Sequence, residues 1–284
     1  MLSTVPTPHT RATRWRAPLL VRASVACHVG AAAAVAADPA LWPWALGAVV
    51  ADHALVTATG LWPRSTWLGA NLRRLPRAAA ARREVSITID DGPNPAVTPA
   101  VLDLLERHDA KATFFCIAQR AQQHPQLCRE IVRRGHRVEN HSWRHAHTFS
   151  LLGPGGCARE TATAQAALTE IAGAPPRFFR APAGLRNPFL DPVLHRLDLQ
   201  LVSWTRRGFD TVHTNPADVL GRLTRDLAPG DILLLHDGNA ARSSSGRAVV
   251  LDVLPALLHR FAQDGLRAVT LDHAVARDAG PAVR

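Results

Sequence analysis

Lysine is almost missing from this 284-residue chain, in which Lys111 stands alone, and tyrosine is missing altogether. The net charge of +10 is therefore nearly all arginine, which reads as a compositional bias. No RNP, helix-turn-helix or zinc-finger pattern accompanies it, so nucleic acid is excluded as a partner. The chain also lacks GxGxxG and GxxxxGK-S/T, and nucleotide binding has no support. Its four cysteines, Cys27, Cys116, Cys128 and Cys157, show no CxxC spacing. Buried free thiols are the default for such positions, with a Cys128–Cys157 bridge as the alternative. A charged fraction of only 20% beside 47% hydrophobic residues excludes wholesale disorder.

What the chain does contain begins with two apolar runs, 18–37 and 41–62, each close to the roughly 20 residues that span a bilayer core. Arg22 and His28 interrupt the first; Pro43, Asp52 and His53 interrupt the second. Trp42, Trp44, Trp62 and Trp67 lie near the ends, where interfacial indoles belong. Arg11, Arg14 and Arg16 precede the first run, and Arg64, Arg73, Arg74, Arg77, Arg82 and Arg83 follow the second, while the joint carries no positive charge. This pattern predicts a hairpin anchored in membrane lipid, of the bacterial inner-membrane kind, with both ends and the following domain in the cytoplasm. Two other readings stay open: a signal peptide ending near residues 35–37, which would send the domain outward, and a soluble hairpin packed on the domain. The predicted organisation is 1–63 for the hydrophobic helices, 64–83 for a basic juxtamembrane linker and 84–284 for a catalytic domain.

From residue 84 onward strand-like and helix-like runs alternate. The predicted strands are 85–89, 112–116, 136–139, 177–179, 200–204, 231–235 and 266–271. The predicted helices are 99–107, 125–134, 157–171, 188–197, 216–227 and 248–264, with Gly135, Gly173 and Gly265 as stops. Serial β/α units imply an α/β fold with a parallel sheet, open or closed into a barrel.

Residues that carry chemistry follow these strands. Asp90-Asp91 follow the first, Asn140-His141-Ser142-Trp143-Arg144-His145 the third, Arg180 the fourth, the run to Asp210 the fifth, and His236-Asp237 the sixth. In a β/α barrel the C-terminal strand ends form one rim, and that rim hosts catalysis. Two adjacent carboxylates at a strand end need a cation, a proton or water to be tolerable. His141 and His145, spaced i, i+4, face the same way if they share a helical turn, and with one aspartate they make a set of the catalytic-zinc type. His147 reads as structural or solvated, and Asp237 is expected to point away from the site.

Thr88-Ile89-Asp90-Asp91-Gly92-Pro93, His141-Ser142-x-x-His145, Arg180-x-Pro182-x-Gly184 and Leu233-Leu234-Leu235-His236-Asp237 resemble, in order and spacing, the motif series of the polysaccharide deacetylase family. This is the NodB-homology domain, carbohydrate esterase family 4. The resemblance covers about residues 84–275 and implies a distorted, incomplete (β/α) barrel of seven units behind the N-terminal hairpin. It further implies one divalent metal ion, zinc, with cobalt or nickel as substitutes, held by Asp91, His141 and His145. Asp90 would be the general base, paired with Arg180, and His236 the general acid, paired with Asp210. Substrate contacts are implied at Pro182, Gly184, Trp204 and Leu234. The implied activity is hydrolysis of an N-acyl group, expected to be acetyl, from an amino sugar in a glycan or glycolipid. A membrane-anchored binding pseudoenzyme of the same fold is the alternative.

Three positions depart from the family pattern. Ala183 stands where tyrosine is usual, and the usual DxxDW segment reads Arg207-Gly208-Phe209-Asp210-Thr211. An aromatic wall of the sugar cleft is lost, which argues against a long chitin-like or peptidoglycan substrate. A cytoplasm-facing site beside a membrane anchor suits a lipid-linked amino sugar.

Overall fold

The computed structural model describes residues 14–276. Arg11, which enters the charge pattern, and residues 277–284 of the expected catalytic domain lie outside the described residues.

Two helices come first, α1 (Leu19–Ala37) and α2 (Trp42–Gly60), joined by a 3-10 turn at Pro39–Leu41. Asp38 caps that turn by accepting from the Ala40 N–H. The helices pair as an antiparallel hairpin, and both are long and apolar enough to cross a membrane. Almost none of their surface is buried against the rest of the chain.

The body holds eight strands: β1 (Glu84–Asp90), β2 (Ala112–Cys116), β3 (Arg137–Asn140), β4 (Phe178–Phe179), β5 (Gln200–Leu201), β6 (Arg206–Arg207), β7 (Ile232–His236) and β8 (Arg267–Ala268). Around them lie α3 (Arg77–Ala81), α4 (Thr98–Arg107), α5 (Ala118–Gln123), α6 (Pro125–Arg133), α7 (Pro154–Ala172), α8 (Leu190–Arg196), α9 (Pro216–Thr224), α10 (Val249–Gln263) and α11 (Leu271–Ala276). All the pairings between strands are parallel, in the order β5-β4-β3-β2-β1-β7-β6, with β8 beside the start of β1. The strands β5 and β6 stand at opposite ends of this order, yet only residues 202–205 separate them. A chain advances at most about 3.5 Å per residue, so the sheet must curl until its edges nearly meet. The result is the distorted, incomplete barrel expected.

Strand parity sorts the side chains into two layers. Ile87, Ile89, Phe114, Val138, Leu233 and Leu235 face outward into the large core shared with the helices. Phe115, Phe178, Val202 and Ile232 face inward and form a smaller cluster inside the barrel. Asp90 has the parity of Thr88 and lies in register with Phe115 and His236, so it also faces inward.

Several local expectations change. The segment 64–83 is part of the barrel and not a free linker. Leu75 and Ala79 join the interior cluster, Leu68 is buried, and Leu72 pairs with Val202 through two backbone bonds of 2.9 Å. Its apolar positions close the gap left by the short strands β5 and β6. The run 200–204 forms a strand only at its start, then pairs with Leu72 at Val202 on the way to β6, and 266–271 yields two strand residues before α11 begins. All four cysteines are free, which removes the Cys128–Cys157 bridge.

Candidate active site

The β1 strand delivers two carboxylates in different ways. Asp90 is its last residue and points into the barrel; Asp91 follows with a left-handed backbone, φ +73°. That reversal turns Asp91 toward His141 and His145. Ser142 (φ +63°) and His145 (φ +56°) are also left-handed. Such conformations cost L residues about 1–3 kcal/mol each and cluster at functional sites. The two histidines therefore do not share a helical turn: 141–146 is an irregular loop, in which Ser142 Oγ accepts from the His145 N–H at 3.0 Å. Their Nε2 atoms still converge, at 3.3 and 3.2 Å from Asp91 Oδ1. His147 is exposed, although its ring lies edge-on to that of His145.

These three side chains fit a metal ion. His141 Nδ1 lies 2.8 Å from the Arg180 carbonyl, which can only accept, so the proton sits on Nδ1. The lone pair on Nε2 then faces a carboxylate oxygen that is buried and has no hydrogen-bond donor. Two acceptors face each other across that gap, an arrangement that calls for a cation. Two imidazoles and one carboxylate, with a further position free, are the donor set of catalytic zinc sites, and the bond from His141 Nδ1 is the outer contact such sites use. The other Asp91 oxygen accepts from Asn239 Nδ2 at 2.9 Å, and Arg120 donates to its backbone carbonyl at 2.7 Å. Burial opposes ionisation of Asp91, but the surrounding imidazoles, His141 foremost and then His236 and His145, hold its carboxyl well below the usual range. Burial and the neighbouring His141 take His145 down to about 4, so it is neutral and able to ligate.

Asp90 is gripped by Arg180, a guanidinium only 1% exposed. Arg180 Nη1 donates to Asp90 Oδ1 at 2.6 Å and to Thr88 Oγ1 at 2.8 Å, and Nη2 donates to the Ser203 carbonyl at 3.0 Å. Its carbon Cζ sits 4.2 Å from the centre of the Phe115 ring, a cation–π contact in a dry setting. Burial lowers the guanidinium's pKa and the Asp90 charge works against that, so each ion makes the other tolerable.

His236 ends β7, beside Asp90. Asp210, fully buried, accepts twice from it: from the backbone N–H at 2.7 Å and from ring Nδ1 at 2.8 Å. Burial pulls the imidazole down, but the charge and hydrogen bond of Asp210, aided by Asp90 and Asp91, outweigh it, and the pKa rises to about 8.

Of the eleven expected site residues, Asp90, Asp91, His141, His145, Arg180, Asp210 and His236 make these contacts, and Pro182, Gly184, Trp204 and Leu234 remain. Gly184 has φ +75°, and a Cβ there would come within 2.6 Å of the Trp204 ring and 2.8 Å of Pro63. Only glycine fits. Pro182 and Trp204 are buried next to it, and Ala183 is exposed in a left-handed conformation. Leu234 is 1% exposed and lies one interior layer below His236.

A family model described as polysaccharide deacetylase matches residues 77–202. A chitooligosaccharide deacetylase of Azorhizobium caulinodans is 33% identical over 168 residues, covering 59% of this chain and 80% of that relative. The chain belongs to the polysaccharide deacetylase family. A peptidoglycan-N-acetylglucosamine deacetylase of Bacillus cereus is 31% identical, over 66% of this chain and 85% of the relative. A family 4 carbohydrate esterase from Streptomyces lividans, solved with acetate, superposes with a TM-score of 0.59 at 30% identity, over 65% of this chain and 91% of that one. As a polysaccharide deacetylase-family member, the chain carries the fold that its motif order implied.

Some residues at this deacetylase-type site escape sequence reading. Asn239 and Arg120 touch Asp91, yet no spacing marks either. Asp237, expected to point away from the site, is buried and accepts from Thr98 Oγ1 on α4, and burial raises its pKa to about 7. It also stands against Gly92, where a side chain would collide with its carboxylate.

Proposed function

We propose that this protein is a metal-dependent hydrolase that removes an N-acyl group, acetyl in the first instance, from an amino sugar. The observation that supports it most is the pairing of Asp90 with His236 on neighbouring interior positions, beside the Asp91, His141, His145 set. Asp91, His141 and His145 would hold one divalent ion, zinc by donor type. Such an ion supplies Lewis acidity toward the acyl oxygen and lowers the pKa of water to about 7.

The remaining work falls to the chain. Asp90, kept in place by Arg180, takes one proton from the attacking water as its oxygen bonds to the acyl carbon. The C–N bond then breaks. His236, with Nδ1–H held by Asp210, gives the proton on Nε2 to the departing nitrogen, because an amide nitrogen leaves poorly as an anion. The products are a carboxylic acid and a free amino sugar. Asp210 and Arg180 position; Asp90 and His236 move protons.

The substrate reading joins the site to the hairpin. Gly60, at the end of α2, accepts from the Arg186 N–H at 3.1 Å, and Pro63 packs against the 182–184 turn. If α1 and α2 lie in the bilayer, the active-site rim stands at its surface, within reach of a lipid-linked N-acylated sugar. The arginines flanking the hairpin favour a cytoplasmic site. Arg207, half-buried over the rings of Trp204 and Phe209, and Ala183 support a second reading, glycan or lipid binding without turnover.

Release of acetate from N-acetylated amino-sugar oligomers and glycolipids, followed before and after chelation, decides between them. Release that chelation stops and Zn²⁺ restores supports the enzyme; binding with no release at any metal loading supports the second reading.

A further inference from the structure

We propose that the N-terminal hairpin holds a second metal site, formed by His28, Asp52 and His53, that takes a divalent transition ion of the zinc type. Each of the three offers one donor atom, and these atoms lie within 4.8 Å of one another. The site shares no residue with the rim cluster and does not depend on the function proposed above.

Its outer contacts are already those of a ligand set. His28 Nδ1 lies 2.8 Å from the Ser24 carbonyl, one helical turn back on α1. A carbonyl only accepts, so the proton is on Nδ1 and the Nε2 lone pair is free to ligate, the same arrangement as in His141. Asp52 accepts from Ser24 Oγ at 2.6 Å, which turns its carboxylate toward α1. His53 Nε2 faces His28 Nε2 at 3.1 Å. Two imidazole nitrogens on one tetrahedral zinc, at about 2.0–2.1 Å each, stand about 3.3 Å apart. The nitrogens need to move only slightly to share an ion.

The location strengthens the case. His28 is the tenth of nineteen residues in α1, and Asp52 the eleventh of nineteen in α2, so the cluster sits half-way along two apolar helices. Ionisable groups at such a depth are expensive and, where they occur, are paired and functional. A hydrogen bond between the imidazoles alone would leave His53 Nδ1 and the second Asp52 oxygen without partners among the described residues. An ion engages both imidazoles and balances the carboxylate. It would tie α1 to α2 where lipid offers no hydrophobic drive between helices.

The test is metal content of the full chain in detergent, loaded with Zn²⁺ and washed with a weak competing chelator. The expected result is about two ions per chain, about one in His53→Ala or Asp52→Asn, about one in His141→Ala, and none in the His53→Ala, His141→Ala double variant. Asp52→Asn retains an acceptor for Ser24, so a loss of metal there is not a loss of the hairpin. In the His141→Ala chain, Co²⁺ should give visible bands that the further change His53→Ala removes. A His141→Ala chain that is folded and metal-free overturns the proposal and reduces the cluster to a hydrogen-bonded clamp. The converse, metal lost with His53 but not with His141, keeps this site and refutes the rim site.

Discussion

Asp90 and His236 are register partners on β1 and β7, and both face the inside of the barrel. Parallel strands are about 4.8 Å apart, so a carboxylate and an imidazolium stand side by side with Asp91 turned out beyond them. Arg180 fixes one and Asp210 the other, at 2.6 and 2.8 Å. A carboxylate and an imidazole are thereby each held by a buried partner of opposite charge on neighbouring strands.

In the proposed reaction the two aspartates have separate duties, Asp90 as base and Asp91 as metal ligand. Asp90→Asn should retain bound metal and lower kcat by roughly 10²–10⁴, the usual worth of a general base. His141→Ala should lose the rim-site metal as well as activity. Metal analysis beside turnover checks both. Equal metal loss in the two variants would contradict the separate roles.

The pH profile follows from His236. Its pKa is raised to about 8, so the acid form is present below that pH and activity should fall as pH rises through it. Asp210→Asn removes the opposing charge, and burial then pulls the imidazole down, which moves the basic limb to lower pH. An unchanged limb in kcat/KM would refute the pairing.

Glu139 offers a prediction about stability. It is fully buried on β3, and its Oε2 accepts from the Arg177 and Phe178 N–H groups at 2.7 Å each, stitching the loop before β4 to β3. Glu139→Ala leaves both donors unpaired and should cost roughly 2–4 kcal/mol in denaturant titration. Burial, only partly offset by those two N–H groups, raises its pKa from 4.5 to about 7. Between these values the folded chain holds a proton that the unfolded chain has released. This group's contribution is therefore fullest below 4.5 and declines as pH rises to 7. Glu139→Gln should remove that decline while keeping the stitch.

Topology can be read with reporters. A phosphatase fused after Arg83 should be inactive and a fluorescent protein there bright, with the opposite pattern at Pro39 in the joint. A chain lacking residues 1–62 should remain folded, because Leu68, Leu75 and Ala79 stay to close the barrel. It should bind rim-site metal and act less well on a lipid-linked substrate, whose effective concentration a bilayer-seated hairpin would raise. Phosphatase activity after Arg83 would place the site outside the cytoplasm and shift the substrate toward extracytoplasmic glycans.

Local signals determined much of this protein by themselves. Alternation of β-branched residues marks β1, apolar length marks α1 and α2, and the order of the motifs marks the family, because each depends on neighbours in sequence. Strand parity also carries Asp90, Arg180 and His236 to the same face. What tertiary structure decided depends on contacts distant in sequence. The 64–83 segment reads as a basic juxtamembrane linker, yet Leu72 pairs with Val202 because the curled sheet leaves a gap there. Asn239 reaches Asp91, and Glu139 reaches the N–H groups ahead of β4, only once β7, β3 and β4 are in place. His141 and His145 meet through left-handed turns in a loop, where an i, i+4 spacing suggested a helix. Spacing constrains reach, but direction is set by the backbone, and in a loop that is chosen by what the side chains must meet.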